Sequence, residues 1–312
     1  MKPKLILLCF ALIGHLFGQD TLLIPNLSDF VGKEDSVYNK AYEFQYKDPN
    51  SSILYANIYL ALAQKANDST TLCYAWMLKA DAHYFKNELD KSEFYYKKAL
   101  NYVKRHKDPF HDIPYLYGAL GDVYSSRGYY YKAIDYFTLS LEITEASGLD
   151  VQTCYIKLSI ASMYELQYNF EEAKKLIDEV LKYGFEKKDK EIIYEGKYSL
   201  LDYYYESKQF SKLVPLSREI IQTAYDYNDI MSQAYIHSDM AIGFAYENMA
   251  DSAIYHAEKS IDAGNKFKDP FTISYMQMGY AETLLLINKP DQALPWAKRA
   301  YALSKKQNSR TL

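Results

Sequence analysis

Glycine and proline are scarce, at 12 and 9 in 312 residues. That is about 7% of the chain, against a typical value near 12%. A β-sandwich or barrel turns on such residues, so the shortage favours helices joined by short turns. Cysteine is nearly absent, with three in the chain, which excludes a disulfide scaffold. There is no basic excess: 36 Lys and Arg face 40 Asp and Glu, a net charge of −4. Direct nucleic-acid binding through phosphate is therefore disfavoured, and nothing draws the chain to an acidic membrane surface. Beyond the N-terminus no apolar run reaches the 18 or so residues a membrane helix needs. Hydrophobic residues at 49% and charged residues at 24% exclude a disordered or collagen-like chain. What the chain has in excess is tyrosine, 34 of them.

The first 18 residues, MKPKLILLCFALIGHLFG, read as an address. Lys2 and Lys4 form a positive start. Leu5 to Phe17 is apolar and too short to span a bilayer. Gly18 is a small residue before a cut, with Gln19-Asp20 opening a polar chain. The expectation is a cleaved signal peptide over 1–18 and a periplasmic or secreted protein, with no transmembrane segment in the mature chain. Anchoring by an uncleaved N-terminal segment is the alternative. Cys9 follows Leu7-Leu8 rather than a small residue, which argues against a lipoprotein cut.

From there the chain repeats. Gly121-Asp122-Val123-Tyr124 is followed by Gly128, Tyr130, Ala133, Phe137 and Ser140-Leu141. The residue opening each second helix falls at Ser52, Ser92, Ala133, Ala173, Leu213, Ala253 and Ala293, at steps of 40 or 41. The close-contact position of the first helix reads Lys40, Ala80, Gly121, Ala161, Leu201, Ala241 and Ala281. An interlocking aromatic recurs at Tyr124, Tyr164, Tyr204 and Phe244. Independently, Lys-Asp-Pro-Phe occurs at 107–110 and 268–271, in equivalent places of the repeat. Small residues let two helices touch and large rings fill the wider gaps.

This pattern resembles the tetratricopeptide repeat, which runs aromatic, Leu-Gly, Tyr, Ala, aromatic, Ala. Tyr117, Leu120-Gly121, Tyr124, Ala133 and Phe137 occupy those places, with Ser140 for the last Ala. The period of 40 in place of 34 implies helices longer by about a turn. The resemblance implies an all-α fold: a right-handed superhelical solenoid of about seven antiparallel helix pairs. It covers 33–306, after a lead-in over 19–32 and before a polar tail over 307–312. The first pair departs from the pattern at Lys40 and Glu43. The fifth departs at Leu201 and Leu213 and is expected to be looser or splayed. Between pairs the helices should stop at Asp108-Pro109, Gly148, Gly184, Asn228-Asp229, Gly264 and Asp269-Pro270. Asp48-Pro49 and Lys289-Pro290 fall just before second helices, where proline is tolerated in a first turn. Cys73 and Cys154 lie two pairs apart, too far for a bridge, and read as buried apolar residues.

No catalytic or metal-binding motif is present. There is no Gly-rich phosphate loop, no Gly-x-Ser-x-Gly and no His-Glu-x-x-His. His83, His106, His111, His237 and His256 are never spaced i, i+3 or i+4. His83 stands where the next pair has Tyr124 and reads as packing. Glu171-Glu172 and Glu142/Glu145 read as solvated faces or partners for Lys. The expectation is no enzyme, no cofactor and no metal, with an acid/base site assembled across the groove as a remote alternative.

By resemblance, positions 2, 5, 9, 12 and 13 of each first helix face a groove. The second position reads Tyr74, Tyr115, Tyr155, Tyr235 and Tyr275. The ninth reads Asp81, Asp122, Asp202 and Glu282, with Tyr84, Tyr198, Tyr205 and Tyr246 completing the set. Flat rings, hydroxyls and negative charge suit an extended peptide or a protein segment bearing basic or aromatic residues. Asp at the ninth position departs from the carboxylate-clamp subset, so that ligand is not carried over. At the other end, Leu294, Trp296, Ala297, Ala300, Tyr301 and Leu303 run almost directly to residue 312, which points to a covering partner or a second copy. A signal peptide ahead of long-period repeats resembles the periplasmic input region of membrane-spanning bacterial regulators or sensor kinases. The expectation is an exported, non-catalytic protein- or peptide-binding scaffold, a sensor module without its output domain. A self-associating structural scaffold is the alternative.

Overall fold

The computed structural model describes residues 27–106, 112–267 and 270–308. Among them are fourteen α-helices and no strand. The signal-peptide reading and Asp108-Pro109 lie outside the described residues. The chain divides into two compact units, residues 1–143 and 144–312. The first carries α1 (Glu34–Lys47), α2 (Pro49–Ala66), α3 (Ser69–Phe85), α4 (Leu89–His106) and α5 (Asp112–Ser126). The division falls inside α6 (Tyr130–Ala146). The second carries α7 (Asp150–Leu166), α8 (Phe170–Lys187), α9 (Lys190–Glu206) and α10 (Leu213–Asp226). It continues through α11 (Ile230–Tyr246), α12 (Ala250–Phe267), α13 (Pro270–Leu286) and α14 (Pro290–Asn308). Odd-numbered helices are the first of each pair. α14 extends past 306, so the expected polar tail begins as helix.

The period is written in the turns. Positive-φ residues stand at Asn67, Asn87, Gly128, Gly148, Tyr168, Lys188, Lys208, Asn228, Asn248 and Asn288, mostly 20 apart. Each ends a helix in the left-handed conformation. The amide one residue later then bonds back five residues, as Asn169 N does to Tyr164 O at 2.8 Å and Asp229 N to Ala224 O at 2.9 Å. That closure satisfies carbonyls a helix end leaves open. Between pairs the next residue is often a cap: Asp68 accepts from the amides of Thr70 and Thr71, and Asp189 from those of Glu191 and Ile192. Two residues thus end one helix and start the next. Gly184 and Gly264 do not act as stops. They lie inside α8 and α12, where a Cβ would sit 3.0 Å from Ile193 and 3.1 Å from Met276. They serve close approach rather than termination.

The small-residue register holds in the core. Ala80, Ala133, Ala161, Ala173 and Ala253 are fully buried. Gly121 is required: a Cβ there would lie 2.5 Å from Cε1 of Phe137, itself 2% exposed. In the first pair the contact position is Ala41, not Lys40. Ser52 Oγ donates to Ala41 O at 2.7 Å, while Lys40 is exposed over the ring of Tyr55. The fifth pair is looser, its two helices meeting over less of their length than those of the other pairs in the second unit, yet its departures Leu201 and Leu213 are fully buried. A 3-10 turn over Phe210–Lys212 precedes α10, and the space for Leu213 comes from α11. There Gly243 would place a Cβ 3.2 Å from Leu213 and 2.7 Å from Val214. Cys73 and Cys154 are buried and unbridged. His83 is fully buried, not partly; its ring stacks on Tyr95 and its Nδ1 pairs with Glu88 at 2.7 Å.

Candidate functional site

In the first unit the expected ligand Asp81 is already engaged. Its Oδ1 accepts from Tyr96 at 2.5 Å and Tyr115 at 2.8 Å, and its Oδ2 from Gln45 at 2.8 Å. Asp81 therefore ties α1, α3, α4 and α5 together and is withdrawn from the groove. Burial raises its carboxyl above the usual range despite those bonds. Tyr115 is half exposed but spends its hydroxyl on Asp81. Tyr74 is half-buried, its ring edge-on to Tyr38 at 6.2 Å, and packs rather than projects. Tyr84 shares a hydrogen bond with Ser126 Oγ at 3.0 Å. Asp122 is different: it is open to solvent, yet surrounding protein desolvates it and pushes it up to about 7.

In the second unit the expected residues come together with others. Tyr155 donates to Glu191 at 2.6 Å and Tyr205 to Glu282 at 2.8 Å. The rings of Tyr235 and Tyr275 lie 5.1 Å apart. Tyr246 is exposed and set edge-on to Phe210. Burial and the charges of Asp202 and Asp239 hold the Tyr198 hydroxyl protonated. Asp202 is open to solvent and, through desolvation and then Glu206, is pushed up to about 7. Three further carboxyls join it. Glu165 is 4% exposed and is pushed up to about 9 by burial, then by Asp202 and Glu206. Asp239 is raised well above the usual range by burial, then by Asp202. Glu206 is raised by burial, then by Glu282. Lysines nearby turn away: Lys157 pairs with Glu179 at 2.9 Å and Lys197 with Glu219 at 2.7 Å, both on second helices.

Glu165 and Glu206 occupy the twelfth and thirteenth positions of their helices. The positional rule contained them, but at positions 12 and 13 only tyrosines were read and the acids were passed over. Asp239, at position 6, lies outside the rule. The sequence spacing also hid a histidine pair: Nδ1 of His237 meets Nδ1 of His256 at 3.0 Å across α11 and α12, with Tyr225 on Nε2 at 2.8 Å. A surface groove of about 760 Å³ runs along α8 between Phe170 and Tyr203. Its charges alternate and pair locally, as Lys174 does with Asp178 at 2.6 Å, so it offers no convergent chemistry.

No protein-family profile and no curated protein matches the chain. Solved structures do. The Rap conjugation gene regulator of plasmid pLS20, in complex with the Phr* peptide, is similar with a TM-score of 0.63 at 11% identity, over 89% of this chain and 97% of that one. A tetratricopeptide repeat protein from Parabacteroides merdae is similar with a TM-score of 0.56 at 12% identity, over 86% and 93%. The fold is that of the tetratricopeptide-type helical repeat proteins. NprR in complex with its cognate peptide NprX shares it, with a TM-score of 0.58 at 14% identity, over 91% and 81%. Asp122 of the first unit and the carboxyls described in the second all stand on odd-numbered helices.

Proposed function

We propose that this chain is a non-enzymatic scaffold that binds a peptide or protein segment along the first-helix faces, each unit offering its own. The observation that carries the reading is the second unit's face, where tyrosine rings stand among carboxylates that no protein cation neutralises. Among the described residues, no His or Lys pairs with those carboxyls to complete an acid–base pair. The solved neighbours Rap and NprR each hold a peptide on the same fold. The test is selection from a random peptide library by the full chain. Enrichment of defined sequences, lost on combining Tyr235→Ala with Tyr275→Ala at unchanged helicity, is expected. No enrichment by the wild-type chain would refute the reading.

The reading extends to an exported sensor or regulatory module, supported by Lys2, Lys4 and the apolar run Leu5 to Phe17. Fusing residues 1–30 to a phosphatase active only outside the cytoplasm tests it, and an inactive fusion would count against export. A second reading, self-association, is favoured by Leu294 and Tyr301, 54% and 67% exposed on α14. Light scattering at high concentration decides it, and a monomer speaks against it.

A further inference from the structure

The first-helix face of the second unit gathers carboxyl groups, and among the described residues no cation stands against them. Glu165 on α7, Asp202 and Glu206 on α9, Asp239 on α11 and Glu282 on α13 come from four successive first helices. Among the described residues, none of the five forms an ion pair. Glu165 is the telling member. It is 4% exposed, no donor among the described residues reaches its carboxyl, and it faces Asp202 and Glu206. A buried carboxyl without donor or counter-ion is costly, and native proteins rarely keep one without a use.

A bare metal ion is not the missing partner. Among the described residues, no three His, Cys, Asp or Glu side chains converge closely enough to hold one. The missing charge must reach in on arms of its own. α7 packs against α9 and α11 against α13; with packed axes about 8–10 Å apart, the four helices cover roughly 25–30 Å or more. An extended chain covers that with about eight or nine residues at roughly 3.3 Å each. Tyr198, Tyr235 and Tyr275 add ring faces that attract cations. The hydroxyl of Tyr205 is held by Glu282, which fixes that carboxylate in place.

We infer that the second unit recognises an extended peptide through its lysine and arginine side chains, their ammonium or guanidinium groups seated between these carboxylates and the tyrosine faces. This rests on the scaffold reading above and specifies its ligand. Capture is coupled to proton release. In the empty site, burial and mutual repulsion push Glu165 up to about 9 and Asp202 up to about 7, and raise Glu206 and Asp239 in the same direction. A cation removes that repulsion and expels their protons. The groups that face the cluster are tyrosines, Tyr198 and Tyr205 on α9 and Tyr275 on α13. Burial raises these three hydroxyls above the ordinary value, so they stay neutral and only the carboxyls titrate. Each proton released makes affinity rise up to about tenfold per pH unit across that range.

The experiment uses the full chain and three probes: a nine-residue peptide alternating Ala and Arg, the same peptide with Gln for Arg, and free spermidine. Affinities are measured by calorimetry at pH 6 and pH 8, in buffers of different ionisation enthalpy to count protons. The Arg peptide should bind at least tenfold tighter than the Gln peptide and at least tenfold tighter at pH 8 than at pH 6, with net proton release. Asp239→Asn with Glu165→Gln should abolish both preferences. Equal affinity for the Arg and Gln peptides, or an affinity independent of pH, would overturn the inference while leaving the scaffold reading standing. Spermidine binding as tightly as the Arg peptide would overturn the peptide assignment in favour of a free polyamine. The wild-type pH series needs no variant, so misfolding of the double variant does not shield the inference.

Discussion

Gly121→Ala should destabilise this protein, although the same change usually stabilises a helix. Alanine gains about 1 kcal/mol over glycine in a helix interior. Here the added methyl would sit 2.5, 2.6 and 2.9 Å from Cε1, Cδ1 and Cζ of Phe137, where ordinary contacts are 3.4–4 Å. The ring is 2% exposed and has no solvent side to retreat into. Overpacking of this kind costs about 1–3 kcal/mol, so the net effect is a loss of up to about 2 kcal/mol. The cause is testable separately from the size. In a Phe137→Leu background the clash is gone and only the helix gain remains, so Gly121→Ala should turn neutral or stabilising. The coupling between the two sites is then about 2 kcal/mol. Urea unfolding followed by far-ultraviolet circular dichroism supplies all four corners of the cycle. A more stable Gly121→Ala single variant, or equal effects in both backgrounds, would refute the reasoning.

Two further outcomes follow from the turns and the histidine pair. Tyr168 holds φ at 60° with its side chain 79% exposed, so Tyr168→Gly should gain about 1 kcal/mol. Tyr168→Ala should gain nothing, and equal midpoints for the two variants in a thermal melt would contradict the strain. Burial, then the neighbouring His256, hold His237 down at about 4 against an ordinary value of 6.5. The folded state therefore binds fewer protons than the unfolded one, and the stability this gives is full above pH 6.5 and lost as pH falls towards 4. The raised carboxyls of the second unit act with the opposite sign, so the comparison must be with His237→Gln across the same range. The wild-type advantage should shrink by up to about 3 kcal/mol between pH 7 and pH 4.5. A constant difference would show that His237 does not titrate as described.

The helix pairs were legible because close contact between helices leaves a chemical residue in the sequence: one small side chain per repeat. Where the reading slipped, the same physics had moved elsewhere. Gly184 and Gly264 looked like helix ends because glycine serves both roles, and only the neighbours Ile193 and Met276 tell them apart. Lys40 broke the pattern because the first pair carries its contact one residue later, at Ala41. The site was legible in type but not in membership. Tyrosine and acid on first helices were readable, but that Asp81 is consumed by Gln45, Tyr96 and Tyr115 depends on residues 15 to 36 positions away. That Glu165, Asp202 and Asp239 crowd one another depends on three helices being laid side by side. His237 and His256, 19 residues apart, meet for the same reason.

The accommodation of Leu213 by Gly243 has a consequence for how such a chain is assembled and diversified. Pairs that each carry their own small residue are interchangeable modules, free to be duplicated, deleted or shuffled. The fifth and sixth are not, because the bulk resides in one and the notch that receives it in the other. A recombinant that inherits α9 and α10 without α11 would bring a knob to a surface with no socket, so these two pairs are bound to travel as a single eighty-residue cassette.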